Sequence, residues 1–292
     1  MVPRGHVLNT TIYEAVTQTI VEALERGVIP WRRPWKLGSA RPCNATTGRI
    51  YRGVNCLLLG ISGYTDHRWL TFKQVMDAGG KVRKSEKASF VIFWKRWQPP
   101  QADGKTEDSK REIPLLRRYF VFNVEQCEGL CVSPLEVGLP LPQSERLLCA
   151  EKIVRSLADP PQIEEKGDIA FYSPHEDLVR VPKLRAFERP EAFYATLFHE
   201  LGHATGHSRR LNRPGVSQRT HFGSDSYCRE ELVAELASAF CCAAIGLDNS
   251  LLEDSASYLS GWLGVLKSDS KAFVTAAGLA QKAADHLMQT MP

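Results

Sequence analysis

Residues 191–205 read EAFYATLFHELGHAT, and this pattern decides how the second half of the chain is built. His199 and His203 stand four positions apart in a mostly apolar, helix-favouring run. Both imidazoles therefore project from one helix face, where they can hold a single metal ion. Glu200 lies beside them, within reach of a water on that ion; it would take the water's proton and pass it to a leaving amine. The spacing also arises by chance on solvated helices. Here the apolar setting and the carboxylates downstream favour a metal site over three unrelated surface residues.

A third ligand must come from elsewhere in the chain. A metzincin would place a histidine at position 209, but Arg209 stands there and His207 is out of register. A glutamate zincin instead draws its ligand from a later helix, with an acidic residue one turn on that orients a histidine. Residues 229–240, REELVAELASAF, supply that arrangement. Glu231 and Glu235 share a helix face, and carboxylates on so apolar a helix need compensation, which a metal and its histidines provide. Glu231 is read as the third ligand and Glu235 as the carboxylate behind the first shell. The reverse assignment, or Glu230, stays open, because periodicity does not fix the rotation of the helix. The expected ion is one zinc, with manganese as an alternative divalent metal.

Outside this motif the chain divides by charge. Residues 1–132 hold 21 Lys/Arg against 12 Asp/Glu, a net +9, whereas residues 133–292 hold 16 against 21, a net −5. Five of the six tryptophans lie in the basic part. At 292 residues the chain suits two domains. The expected organisation is 1–132, a Pro-containing linker over 133–144, and 145–292. The predicted fold class is α+β, a small basic α+β domain followed by a mostly helical one with a short sheet. No apolar run is long enough to span a bilayer and the start has no apolar signal core, so no membrane partner and a cytoplasmic location are expected. The eight cysteines read as buried thiols rather than disulfides.

In the basic part Thr11 and Glu14 fit a capping box and Gly27 a helix end. The runs 88–94 and 119–122 predict a β-hairpin around a charged insert from about Gln98 to Pro114. Cations interleaved with aromatics suit single-stranded nucleic acid, whose phosphates need counter-charge and whose unpaired bases stack. The irregular segment IPWRRPWK (29–36) offers Trp31, Arg32, Arg33, Trp35 and Lys36, and NATTGRIYRGVN (44–55) offers Arg49, Tyr51 and Arg52; Lys84 and Lys87 lie further on. Trp31, Trp35 and Tyr51 are preferred to Trp94, which sits in an apolar run and reads as strand core. The competing reading makes the aromatics core and the cations a solvated face.

In the second part helices are expected over 144–157, 257–266 and 272–288, with two short strands near 169–174 and 177–182 ahead of the metal-site helix.

Several long motifs, in one order, carry a family resemblance. Residues 9–131 resemble the N-terminal domain of ArdC-type antirestriction proteins, also found in TraC-type primases, through IPWRRPW, TTGRIYRGVNCLLL, GGKVRKSEKASFVIFWK and YFVFNVEQCEGL. Residues 145–290 resemble the zincin-like peptidase domain that accompanies it, through LFHELGHATGHSRRL, FGSDSYCREELVAELASAF, SGWLGVLKSD and AQKAADHL. The resemblance implies a plasmid-encoded zinc metallopeptidase-like protein. Such a protein would bind single-stranded DNA and protect entering DNA from restriction during conjugation, with an unidentified protein substrate that is DNA-bound or part of a restriction system. Two other functions stay open on the residues: the same protein with a structural or weakly active zincin fold, and a general metallopeptidase whose basic domain binds an acidic protein.

Overall fold

The first helix, α1 (Ile12–Glu25), begins where its sequence says it should. The Thr11 hydroxyl accepts from the Glu14 amide at 3.2 Å, and the Thr11 amide donates to the Glu14 carboxylate at 2.7 Å. Its exit runs through Gly27 at φ 74°, a left-handed conformation that glycine adopts without steric cost. The computed structural model describes residues 11–32, 41–97, 113–131, 142–218, 221, 223–248 and 256–289. The expected linker falls largely outside them.

After α1 come β1 (Cys43–Asn44), α2 (Val54–Gly60), β2 (Arg68–Thr71), α3 (Phe72–Asp77), β3 (Lys81–Val82), β4 (Ser89–Trp97), β5 (Ile113–Asn123) and β6 (Cys127–Glu128). A mixed sheet has the order β1-β2-β5-β4, with β1 and β2 parallel and the other pairs antiparallel; β3 and β6 form a separate small ladder. The predicted hairpin is β4 and β5, longer than expected because Ile113 and Pro114 already belong to the returning strand.

The second part runs α4 (Gln143–Arg155), β7 (Gln162–Glu165), β8 (Phe171–Ser173), β9 (Leu178–Val181), α5 (Pro190–Ala204), α6 (Pro214–Ser217), α7 (Asp225–Ile245), α8 (Ala256–Ser268) and α9 (Ala272–Leu287). A three-stranded sheet of order β7-β9-β8 packs on α5. Its strand β7, QIEE, has too little apolar character to be legible in the sequence. The α+β class therefore holds. All eight cysteines are free thiols; Cys56, Cys241 and Cys242 are buried, while Cys131 is exposed.

The charge boundary near residue 132 does not mark a break in packing. One hydrophobic core runs from α1 to α9 and takes in Trp31 and Ile92 from the first part with Phe198, Trp262 and Phe273 from the second. Helix α1 lies against α8 and α9, where the Thr17 hydroxyl donates to the Ser270 carbonyl at 2.8 Å and Lys267 pairs with Glu25 at 2.7 Å. The Gly53 amide donates to Gln281 on α9 at 2.8 Å. Trp31 meets the Trp262 ring edge-on at 5.3 Å and the Phe273 ring at 5.9 Å.

With its side chain fully buried, Trp31 is a core residue. Replacing it by alanine is expected to cost about 3–5 kcal/mol through lost burial and the cavity left behind. The check is the denaturant midpoint of the full chain; an unchanged midpoint would show that Trp31 does not join the two parts.

Candidate metal centre and nucleic-acid surface

Pro190 supplies the first turn of α5, where its missing amide costs nothing. The following residues bury one face on β9 and another on α7. Helix α7 starts at a Ser224 cap, whose hydroxyl accepts from the Tyr227 amide at 3.3 Å, and ends at Gly246 at φ 69°. The helices approach closely at Gly202: a Cβ there would stand 3.2 Å from the Ala234 Cα. Ser238 ties them one turn further on by donating to the Ala195 carbonyl at 2.7 Å.

This crossing assembles the candidate ligands. The His199 and His203 rings lie 4.9 Å apart, nearly perpendicular. Each Nε2 is 3.5 Å from a Glu231 oxygen, His199 from Oε2 and His203 from Oε1. Donor atoms of the three residues lie within 4.8 Å of one another, the only such group of three His, Cys, Asp or Glu residues among those described. Two imidazoles and one carboxylate oxygen fit a divalent ion with a coordination position left open, which is the pattern of catalytic rather than structural sites. Glu231, left open against Glu230 and Glu235 in the sequence, is the carboxylate that faces both histidines.

The charges are tuned by burial and by each other. Burial disfavours charged His203, yet hydrogen bonds to Glu230 and Glu231 push its pKa up to about 10. Burial likewise opposes charged His199, and Glu231 outweighs it. Burial would raise the Glu231 pKa, but its two histidines hold it well below the usual carboxylate range. Glu200, itself buried, is raised chiefly by desolvation, which makes it a better proton acceptor.

Behind these residues stand two carboxylates whose roles differ from the sequence reading. Glu230 comes within 3.4 Å of the His203 Nδ1 and is clamped by the buried Arg213, which donates from Nη2 to Oε1 at 2.6 Å and from Nε to Oε2 at 3.1 Å. Arg213 also donates to the Thr205 hydroxyl and to the Gly202 carbonyl. The carboxylate hydrogen-bonded to a ligand histidine is thus Glu230. Glu235, expected in that place, accepts instead from Arg32 at 3.1 Å. The sequence signal for Glu230 was its adjacency to Glu231; nothing local marked Arg213.

The residues proposed to contact nucleic acid separate. Trp31 and Tyr51 are buried, Tyr51 in a second core cluster with Trp69, Val91 and Val121, so neither presents a ring for stacking. Arg32 is turned inward to Glu235, and Arg52 pairs with Asp285 on α9. Arg49, Lys84 and Lys87 are exposed. Arg33, Trp35 and Lys36 lie outside the described residues. The sheet carries a different set. Alternation along β5 puts Arg118, Phe120 and Phe122 on one face, and the pairs Phe90↔Phe120 and Trp94↔Leu116 add Phe90 and Trp94 from β4. Arg118 lies over the Phe90 and Phe120 rings at 5.7 and 5.2 Å, and Phe72 stacks edge-on with Phe122 at 6.3 Å. Trp94, read as strand core, is 57% exposed, and Phe120 is 54% exposed.

Fold and site define a protein of the zincin-like class with an added basic N-terminal unit. Residues 150–279 match the zincin-like metallopeptidase model MPTase-PolyVal, and residues 10–122 match the N-terminal domain of anti-restriction factor ArdC. The chain belongs to the ArdC antirestriction family. Crystal structures of the antirestriction ArdC protein from the R388 plasmid, metal-free and Mn(II)-bound, share 33% identity with it at a TM-score of 0.75 and cover 95% and 96% of this chain and 97% of that one. An uncharacterised Sinorhizobium fredii protein, y4eC, is 39% identical over 287 residues, covering 94% of this chain and 91% of its own. DNA primase TraC of Escherichia coli is 34% identical over 296 residues, which span 94% of this chain but 20% of that one.

The site predicts how metal binding depends on sequence and pH. His199→Ala or Glu231→Ala should abolish tight binding of one divalent ion, Glu230→Gln should weaken it about 10–100-fold, and Glu200→Ala should retain it. Histidines whose pKa values are raised in the metal-free protein hold protons that the ion must displace. Affinity should therefore rise with pH through the neutral range, with protons released on binding. Calorimetry in buffers of different ionisation enthalpy measures this; pH-independent binding would contradict the ligand assignment.

Proposed function

We propose that this protein is a metal-dependent antirestriction factor that binds single-stranded DNA and cleaves a protein partner, protecting incoming DNA from restriction in a recipient cell. The observation that carries the reading is the His199, His203 and Glu231 constellation with buried Glu200 beside it. Zinc is the proposed ion; at such a site a divalent ion supplies Lewis-acid polarisation and a more acidic water. Glu200 takes the proton of the attacking water and returns it to the leaving amine. Strand β8 ends its sheet among the described residues and packs on α5, the helix that carries Glu200. A peptide added along that edge would run past the general base.

Support for DNA binding comes from the aromatic and cationic face of β4 and β5, whose rings and Arg118 match the chemistry of unpaired bases and phosphates. A basic surface that binds an acidic protein would not need the exposed rings of Trp94 and Phe120. The full chain should therefore bind a single-stranded oligonucleotide more tightly than the duplex, with affinity falling steeply as salt rises. Trp94→Ala and Phe120→Ala should each cost about 1–3 kcal/mol of binding. Fluorescence anisotropy measures both; equal affinity for duplex, or an unaffected double variant, would contradict this surface.

For the peptidase, Glu200→Ala should keep metal and DNA binding while losing hydrolysis and, with it, protection of entering plasmid DNA at matched protein level. Wild-type protection by that variant would place the antirestriction role in DNA binding alone.

A further inference from the structure

The segment that leaves α1 reaches the metal-site helix. Trp31 is wedged between Trp262 and Phe273, and this anchor delivers the next residue, Arg32, to Glu235 on α7. Both side chains of the ion pair are about nine-tenths buried, with Arg32 Nη2 at 3.1 Å from Glu235 Oε1. Glu235 stands one helical turn after Glu231 and next to Ala234, where α7 meets Gly202 of the metal-site helix. Its second oxygen, Oε2, is buried and makes no hydrogen bond among the described residues. The one hydrogen bond described for this carboxylate thus comes from the part of the chain that matches the antirestriction N-terminal domain, while the carboxylate belongs to the part that matches the zincin.

A buried carboxylate is retained only where a counter-charge and a hydrogen bond hold it. The other two carboxylates of this helix stretch have their partners within the zincin part: Glu230 has Arg213, and Glu231 has the two histidines. Glu235 has Arg32. We propose that Arg32 is a positioning residue for the metal centre, supplied by the N-terminal part, which fixes the Glu235 carboxylate one turn from Glu231 so that the zincin part binds its ion fully only when the N-terminal segment is docked. The proposal rests on the ligand assignment made above. It makes the covalent attachment of the two parts a requirement of the site rather than a matter of tethering. It also explains why Arg32, in so basic a stretch, is turned away from solvent.

The test is a double-mutant cycle on the full chain, reading zinc affinity by competition with a chromophoric chelator. Arg32→Ala and Glu235→Gln should each weaken binding by about 10–100-fold. The double variant should be no worse than the weaker single, because both remove one unit. Arg32→Lys should recover part of the loss, since it restores the charge without the planar fork. The denaturant midpoint of the metal-free variants reports fold separately, and Arg32→Met, which keeps the buried stem, carries the test if Arg32→Ala does not fold. Wild-type or tighter zinc binding in Arg32→Ala and Arg32→Met would overturn the proposal, as would additive effects of the two substitutions. Failure of the underlying reading looks different: zinc would then bind His199→Ala and Glu231→Ala as it binds wild type.

Discussion

The site depends on how closely α5 and α7 can approach. Gly202 sits where a side chain would press on the Ala234 backbone, and Ala234 is itself small. The absence of bulk on both sides lets Glu231, on a helix nearly thirty positions downstream, come within 3.5 Å of two imidazoles one turn apart. The residues between the two histidines in HELGH are therefore as much a packing motif as a chemical one. Leu201 enters the core and Gly202 admits the partner helix. The Ser238 hydroxyl, bonded to the Ala195 carbonyl, sets the register of the crossing from its other end.

Bringing three glutamates into this crossing is costly unless each is compensated, and the structure compensates each differently. Glu231 faces the histidines, Glu230 is held by Arg213, and Glu235 is held by Arg32. Arg213 does more than neutralise. By also donating to the Gly202 carbonyl and the Thr205 hydroxyl, it pins the end of α5 and the segment after it to the carboxylate behind His203. Gly206 keeps this corner clear, since a Cβ there would fall 2.5 Å from the Val216 Cγ2 and 2.9 Å from the Arg213 Nη2.

Much of this was legible in the sequence, and the remainder failed for identifiable physical reasons. His199, Glu200 and His203 follow from a spacing that has one geometric meaning on a helix. Glu231 was legible only as one of three, because adjacent glutamates point about 100° apart around a helix and only packing fixes its rotation. That same rotation gave the histidine contact to Glu230 rather than Glu235. Trp31, Tyr51 and Trp94 depart from the expectation, while Trp35 lies outside the described residues. Trp31 lies in a Pro-rich irregular segment, which ordinarily runs over the surface, but here it fills the gap between α8 and α9. Trp94 and Phe120 lie in apolar runs that resemble buried strand, yet both are more than half exposed, while Ile92 between them on the same face is buried. Long-range pairings such as Arg32 with Glu235 have no local signal at all.

In the proposed centre His199, His203 and Glu231 hold the ion, while Glu230 and Glu235 serve other partners. Diffraction from zinc-loaded crystals, recorded on both sides of the zinc absorption edge, tests it most directly. The account predicts one anomalous peak bounded by His199, His203 and Glu231, with Glu230 on His203 and Arg213 and with Glu235 still on Arg32. A peak ligated by Glu230 or Glu235, or one lying away from the α5–α7 crossing, would contradict it.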